Sequence, residues 1–278
     1  MKIITDSTAD LAREQYETYG IGMVPLTIHL GEKTWHDFYD VEPDEYYALL
    51  RTSRAFPTTS QPSPQDFINA YTPVAAEGEP ILSIHLSARL SGTYQAAVLA
   101  RTHLPEARIE VIDSLQASMG LGIIILMCAE RAGQGASFES VVDCARKLTR
   151  QVETYFSVDS LEYLQRGGRV GKAHALLGTL MRIKPLMRLV EGEILPLEKI
   201  RTSERLLNRF VELVETRSLE GSPLRLSVGE SDNSDVMTGL LERLLKIPGV
   251  SLVNRCKLGG VVTSHAGPGA LGISFVKE

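Results

Sequence analysis

A two-domain α/β protein is what this sequence predicts: a mostly parallel sheet covered by helices over residues 1–153, and a mixed α+β domain over residues 154–278. Three observations carry that expectation. The first half alternates apolar runs of strand length with helical segments, as parallel sheets with helices on their faces do. The second half contains a hairpin pattern, residues 183–190 and 194–199 around Glu191-Gly192-Glu193. The chain has 278 residues, 44% of them apolar, which is enough for more than one core.

The elements follow in order. Residues 2–5 read as a short strand, and Asp6-Ser7-Thr8 then offers N-caps to a helix running towards Gly20. Residues 23–30 and 33–35 suggest a hairpin around Gly31-Glu32, and residues 43–51 a helix. Ser63-Pro64 starts another helix, with Ser as N-cap and Pro at the first helical position, running to Ala76. Residues 81–86 form a strand, after which Ser91 opens a helix through Ala96, Ala97 and Ala100. Residues 109–112 are a further strand, and Asp113-Ser114 begins a long helix. In the second half, residues 155–158 read as a strand and 160–165 as a short helix, with Gly167-Gly168 breaking the chain. Beyond the hairpin come an amphipathic helix (203–216), a strand (224–228), a helix near 236–245 and the final strands.

Composition excludes several classes. Charged residues make up 23% and the net charge is −5, which gives no reason to expect nucleic-acid binding. The longest apolar stretch, residues 121–129, is about half the ~20 residues needed to span a bilayer. Cys128, Cys144 and Cys256 form no spaced set and read as buried reduced thiols. With an opening too polar for a signal peptide, they lead to a cytoplasmic expectation. Gly267-Pro268-Gly269-Ala270-Leu271-Gly272 matches the dinucleotide pattern, but the six residues left after it read as a strand where a helix is required. No metal-ligand spacing is present.

Three segments share a small, polar character: Thr58-Thr59-Ser60-Gln61-Pro62-Ser63, Leu90-Ser91-Gly92-Thr93 and Thr263-Ser264-His265-Ala266-Gly267-Pro268-Gly269. Hydroxyls donate hydrogen bonds, glycines let backbone N–H groups come close, and a histidine adds a donor whose charge changes near neutral pH. Together they read as one oxyanion site suited to a carboxylate. Each residue also has a plainer role: His265 a satisfied core histidine, Ser91 a helix N-cap, Thr59 part of a turn before Ser63-Pro64, Asp6 and Ser7 a structural cap. Ser91, Asp113 and His265 stand in the chain order of α/β-hydrolase triads, but Arg89 and Thr93 flank Ser91 where the nucleophile elbow needs glycines.

Several segments in one order resemble the DegV family. They are residues 3–11 (Ile-Ile-Thr-Asp-Ser-Thr-Ala-Asp-Leu), Thr59-Ser60-Gln61-Pro62-Ser63, Leu90-Ser91-Gly92-Thr93-Tyr94-Gln95, and Val111-Ile112-Asp113-Ser114 through Met119-Gly120. Leu161-Glu162-Tyr163-Leu164 with Arg166-Gly167-Gly168-Arg169, Ile183-Lys184-Pro185-Leu186, and Ser264-His265-Ala266-Gly267-Pro268-Gly269-Ala270 complete the set, which spans essentially the whole chain. The resemblance implies two α/β domains with a fatty acid at or near their junction. It implies that the protein shields a long-chain fatty acid and presents its carboxylate to the catalytic subunit of a fatty acid kinase, with no cofactor or metal and no catalysis of its own. Carried over by motif, Thr59, Ser91 and His265 are expected to contact the carboxylate, supported by Ser60, Gly92, Ser264 and Gly267. Arg166, Arg169 and Lys172, with Arg182, Lys184 and Arg188 further on, are expected to form a surface for transient membrane or kinase contact. The segment 229–233 departs from the family in lacking a histidine near Glu230, which weakens any role for that loop. Ile123, Ile124, Leu126 and Met127, with residues 176–181, are candidate walls for the acyl chain. The rival reading is a lipid ester or thioester hydrolase using Ser91 and His265.

Overall fold

The computed structural model describes residues 1–176 and 183–278. The chain opens with β1 (Lys2–Asp6), a 3₁₀ turn (Ser7–Ala9) and α1 (Arg13–Thr18). The single helix expected here is split. Asp10 adopts a left-handed conformation (φ 51°) that ends the turn, and its carboxylate is used elsewhere. Asp6 does cap the turn, accepting from the Thr8 N–H.

β2 (Gly22–Val24), β3 (Thr27–Leu30) and β4 (Lys33–His36) follow. The expected run 23–30 is therefore two strands in two sheets. Pro25 separates them, having no N–H to offer a ladder. After α2 (Pro43–Thr52) comes β5 (Thr58–Ser60), where a turn was expected. β5 pairs antiparallel with β3, so Thr59 is held in a ladder opposite Ile28. α3 (Pro64–Ala76) has the expected cap: Ser63 Oγ accepts from the Asp66 N–H, and the Asp66 carboxylate accepts from the Ser63 N–H.

β6 (Ile81–His85), α4 (Thr93–Thr102) and β7 (Ile109–Asp113) complete the first layer. The N-cap of α4 is Gly92 rather than Ser91. The long helix α5 (Met119–Gly133) starts six residues later than expected, because the Asp113 carboxylate accepts from Leu115 N–H and Ser118 takes φ 52°. α6 (Phe138–Gln151), for which the sequence offered no reading, leads to β8 (Glu153–Ser157) and α7 (Glu162–Arg166). The hairpin β9 (Lys184–Val190) and β10 (Glu193–Ile200), α8 (Ser203–Ser218), β11 (Leu224–Glu230) and α9 (Ser234–Leu244) match their expected positions. β12 (Val250–Lys257) and β13 (Leu271–Lys277) are the final strands, with the short helix α10 (Gly260–Ala266) between them.

β2-β1-β6-β7 form a four-stranded parallel sheet, β10-β9-β8-β13-β11-β12 a six-stranded mixed sheet, and β4-β3-β5 a small antiparallel sheet. In the parallel sheet, β2 lies on one side of β1 and β6 on the other. That reversal places the crevice between the β1 and β6 loops at the carboxyl ends of the strands, where open α/β sheets bind ligands.

α5 explains how the layers join. It packs against β1 and β6 on one side and against β8, β11, β12 and β13 on another, with α6 alongside. Residues on every side of it, from Leu121 through Leu126 to Cys128 and Ala129, are buried, as a helix apolar all round must be. Along β13, Leu271, Ile273 and Phe275 join the core under α8 and α9, whereas Val276 joins the α5 core. Period-two alternation serves two cores from one strand. Among the described residues no helix is long and apolar enough to cross a membrane.

Candidate functional site

A cavity of about 370 Å³ opens where the three sheets meet. Thr8, Leu86, Leu90, Ser91, Ala117 and Ser118 come from the loops at the carboxyl ends of β1, β6 and β7. Thr59 and Ser60 come from β5, Met119 from α5, Leu189 and Ile194 from the hairpin, and Val261, Val262, His265 and Ala266 from α10.

Its polar residues include a compact group. His265 Nε2 lies 2.8 Å from Thr59 Oγ1. The other ring nitrogen, Nδ1, is buried without a partner and packs against Gly167, where an added Cβ would lie 2.2 Å from it. Burial, and secondarily the positive charge of Arg169, pull the His265 pKa down to about 4, so the ring is neutral at physiological pH. Ser91 Oγ accepts from the Thr93 N–H at 3.3 Å and lies 2.9 Å from Thr93 Oγ1. Ser91 therefore caps the first turn of α4 from one residue before the N-cap, and itself lines the cavity.

Arg169, which the sequence reading set on a contact surface, is half-buried and lines the cavity. Its Nε donates to the Leu90 carbonyl at 3.0 Å and its Nη1 to the Gly167 carbonyl at 2.6 Å. The first bond ties the guanidinium to the loop that carries Ser91. Among the described residues lining the cavity none has a carboxylate. A cation, a neutral imidazole and hydroxyls on one side, with leucine, isoleucine, valine, methionine and phenylalanine elsewhere, suit an amphiphile with an anionic head.

The supporting residues divide. Ser60 lines the cavity. Gly92, Ser264 and Gly267 do not. Gly92 is small because Gln61, itself on the cavity wall, packs 2.2 Å from where a Cβ would be. Ser264 Oγ is bonded to the Gly260 carbonyl and to Tyr46 Oη. Gly267 turns the chain after α10 with φ 78°, against the Tyr163 ring. The loop at 229–233 braces that turn: Ser231 Oγ donates to the Gly267 carbonyl and accepts from Ala270 N–H. Arg166 and Lys172 stay on the surface, paired with Glu162 and Glu193. The expected acyl walls are corrected too. Ile123, Ile124 and Leu126 are sealed in the core around α5, whose one contribution to the cavity wall is Met119. Residues 177–182, including Arg182, lie outside the described residues.

The hydrolase triad is not assembled. His265 Nε2 faces Thr59, Ser91 pairs with Thr93, and the Asp113 carboxylate accepts from Ala88 and Leu115 N–H groups. A second chain of polar groups, Asp6–His85–Ser83–Tyr71, is fully buried and ties β1, β6 and α3 together.

A family model described as "Uncharacterised protein, DegV family" matches residues 1–278. The chain belongs to the DegV family. Among curated relatives, a DegV domain-containing protein of Streptomyces coelicolor is 38% identical over 98% of this chain and 96% of its own. A DegV family protein from Thermus thermophilus, whose solved structure is described by its fatty acid binding, superposes with a TM-score of 0.94 at 35% identity, covering 100% of this chain and 99% of that one. DegV of Bacillus subtilis, described as a fatty acid binding protein, superposes with a TM-score of 0.90 at 31% identity, with the same coverage. The two-layered architecture of this DegV chain, a parallel sheet and a mixed sheet, is that of these neighbours.

Proposed function

We propose that this DegV protein binds a long-chain fatty acid in the cavity, with the carboxylate among Thr59, Ser91, Arg169 and His265. The observation that carries this reading is the pairing of donors without a carboxylate at one side with an apolar lining elsewhere. Each buried methylene contributes about 0.8 kcal/mol, so the chain supplies most of the affinity. The head group must keep hydrogen bonds when it leaves water. In this reading His265 Nε2 carries the hydrogen and donates to Thr59 Oγ1, 2.8 Å away. The Thr59 O–H is then free to donate into the cavity, and His265 acts through it.

In this reading the protein is a non-catalytic carrier in the cytoplasm that presents the carboxylate to a separate ATP-using kinase subunit, which forms the acyl phosphate. Arg166 and Lys172 are the exposed basic residues on which partner or membrane contact rests. Titration with a fatty acid and with its methyl ester tests the core of the proposal. The acid is expected to bind far more tightly, and Arg169→Gln is expected to narrow that difference. Equal affinity for acid and ester in the unaltered protein contradicts a carboxylate site. Acyl phosphate production by the kinase subunit, dependent on this protein, tests the second step.

A further inference from the structure

We propose that Cys128 and Cys144 form a reversible disulfide when the protein meets a hydroperoxide, with Cys144 as the attacking sulfur and Cys128 as the resolving one. The two helices make the pair. Residues 134–137 turn α5 back into α6, so positions at equal distance from the turn face each other. Cys128 is five residues before the end of α5 and Cys144 six residues into α6. Both sulfurs belong to the same packed cluster. Arg131, one turn after Cys128, crosses to α6 and donates to Ser140 Oγ from Nε (3.3 Å) and Nη2 (2.9 Å). Ser140 is one turn before Cys144, so the guanidinium lies beside that sulfur. Lys147, one turn beyond, adds a second positive charge.

The sulfurs are unequal. Cys128 is fully buried, while Cys144 is half-buried and open to a small oxidant. The neighbouring Cys128 thiol pulls the Cys144 pKa down, with Arg131 and Lys147 acting in the same direction. The Cys144 neighbour, together with burial, pushes Cys128 up. A thiolate is the nucleophile in such chemistry. The Cys144 thiolate attacks the peroxide O–O bond, becoming a sulfenic acid and releasing an alkoxide that takes a proton from water. The Cys128 sulfur then attacks the sulfenic sulfur, its proton leaves with the departing hydroxide as water, and the S–S bond forms. Two electrons pass from the thiols to the peroxide.

The test is mass spectrometry of the full chain, reduced, then exposed to hydrogen peroxide, denatured in an alkylating agent and digested. The expected result is a peptide joining Cys128 to Cys144 with two hydrogens lost. Alkylatable thiols should fall from three to one, with Cys256 remaining. The oxidised protein should melt higher by about 5 °C, because the link closes a loop in the unfolded chain. In Cys128→Ser, Cys144 should stop at a sulfenic acid trappable by a 1,3-diketone. Three thiols still alkylated after peroxide, a link between other cysteines, or Cys144 driven to sulfinic acid without a link in the unaltered protein would each overturn the proposal.

Discussion

Thr59 and His265 are 206 positions apart in sequence and 2.8 Å apart in space. If Thr59 delivers the hydrogen bond and His265 orients it, Thr59→Val removes a bond to a charged group and should weaken fatty acid binding by roughly 10- to 100-fold. Thr59→Ser should stay within about threefold, since it keeps the hydroxyl. Isothermal titration with one fatty acid across the three proteins measures this. The ring also predicts a pH dependence. Unfolded, His265 titrates near 6.5; folded, near 4. Between those values the unfolded chain binds more protons, so stability falls as pH drops from about 6.5 to 4 and is untouched above. His265→Asn should flatten that part of a Tm–pH profile; an unchanged slope there would show the histidine to be solvated. The three polar segments stood out because small hydroxyl and glycine residues cluster in each of them. Arg169 did not, because an arginine beside glycines in a basic stretch reads as solvent-facing. Its placement depends on the carbonyls of Leu90 and Gly167, which no local pattern reveals.

At the scale of elements, α10 decides where His265 stands. Two buried carboxylates hold its start: Asp10 accepts from Gly259 N–H at 3.0 Å and Asp37 from Gly260 N–H at 2.8 Å. Burial raises the Asp37 pKa to about 7 and keeps Asp10 well above the usual carboxylate range. Folded Asp37 holds a proton more firmly than the unfolded chain does, so its contribution is present below about pH 4 and is lost as pH rises through 7. Asp37→Asn keeps an acceptor for Gly260 without the charge. It should match the native protein near pH 4 and melt higher than it at pH 8. Asp37→Ala should melt lower at both, since the Gly260 N–H is left unpaired. Thermal melts at the two pH values decide between them. Helices with explicit caps, such as α3 behind Ser63-Pro64, were legible because cap chemistry is local. α10 was not, because its acceptors come from residues more than 200 positions away. β5 was missed for a related reason: three polar residues become a strand only because β3 supplies the ladder.

For the whole molecule, the division at 153/154 and the shared helix pull in different directions. The four-stranded sheet is built from strands before residue 153 and the six-stranded sheet from β8 onward, yet α5 from the first half covers the second sheet. Residues 154–278 expressed alone should therefore lack a cooperative melt, because the face of β11–β13 under α5 would be exposed to water. A cooperative transition in that fragment would show that the core around α5 is dispensable to it. The alternation of strands and helices made the parallel sheet readable, and the β9–β10 hairpin announced the second. The sandwiching of α5 was not readable, because an all-round apolar helix does not say which surfaces bury it. The same arrangement puts the cavity where loops of the first sheet meet the hairpin and α10 of the second.

The central claim is that this cavity holds a fatty acid by its carboxylate. The most direct measurement is mass spectrometry of lipid extracted from the purified protein, beside the His265→Ala and Ser91→Ala variants. A stoichiometric fatty acid in the unaltered protein, depleted in both variants, is the predicted result. A lipid-free protein that also takes up no added fatty acid would contradict the account.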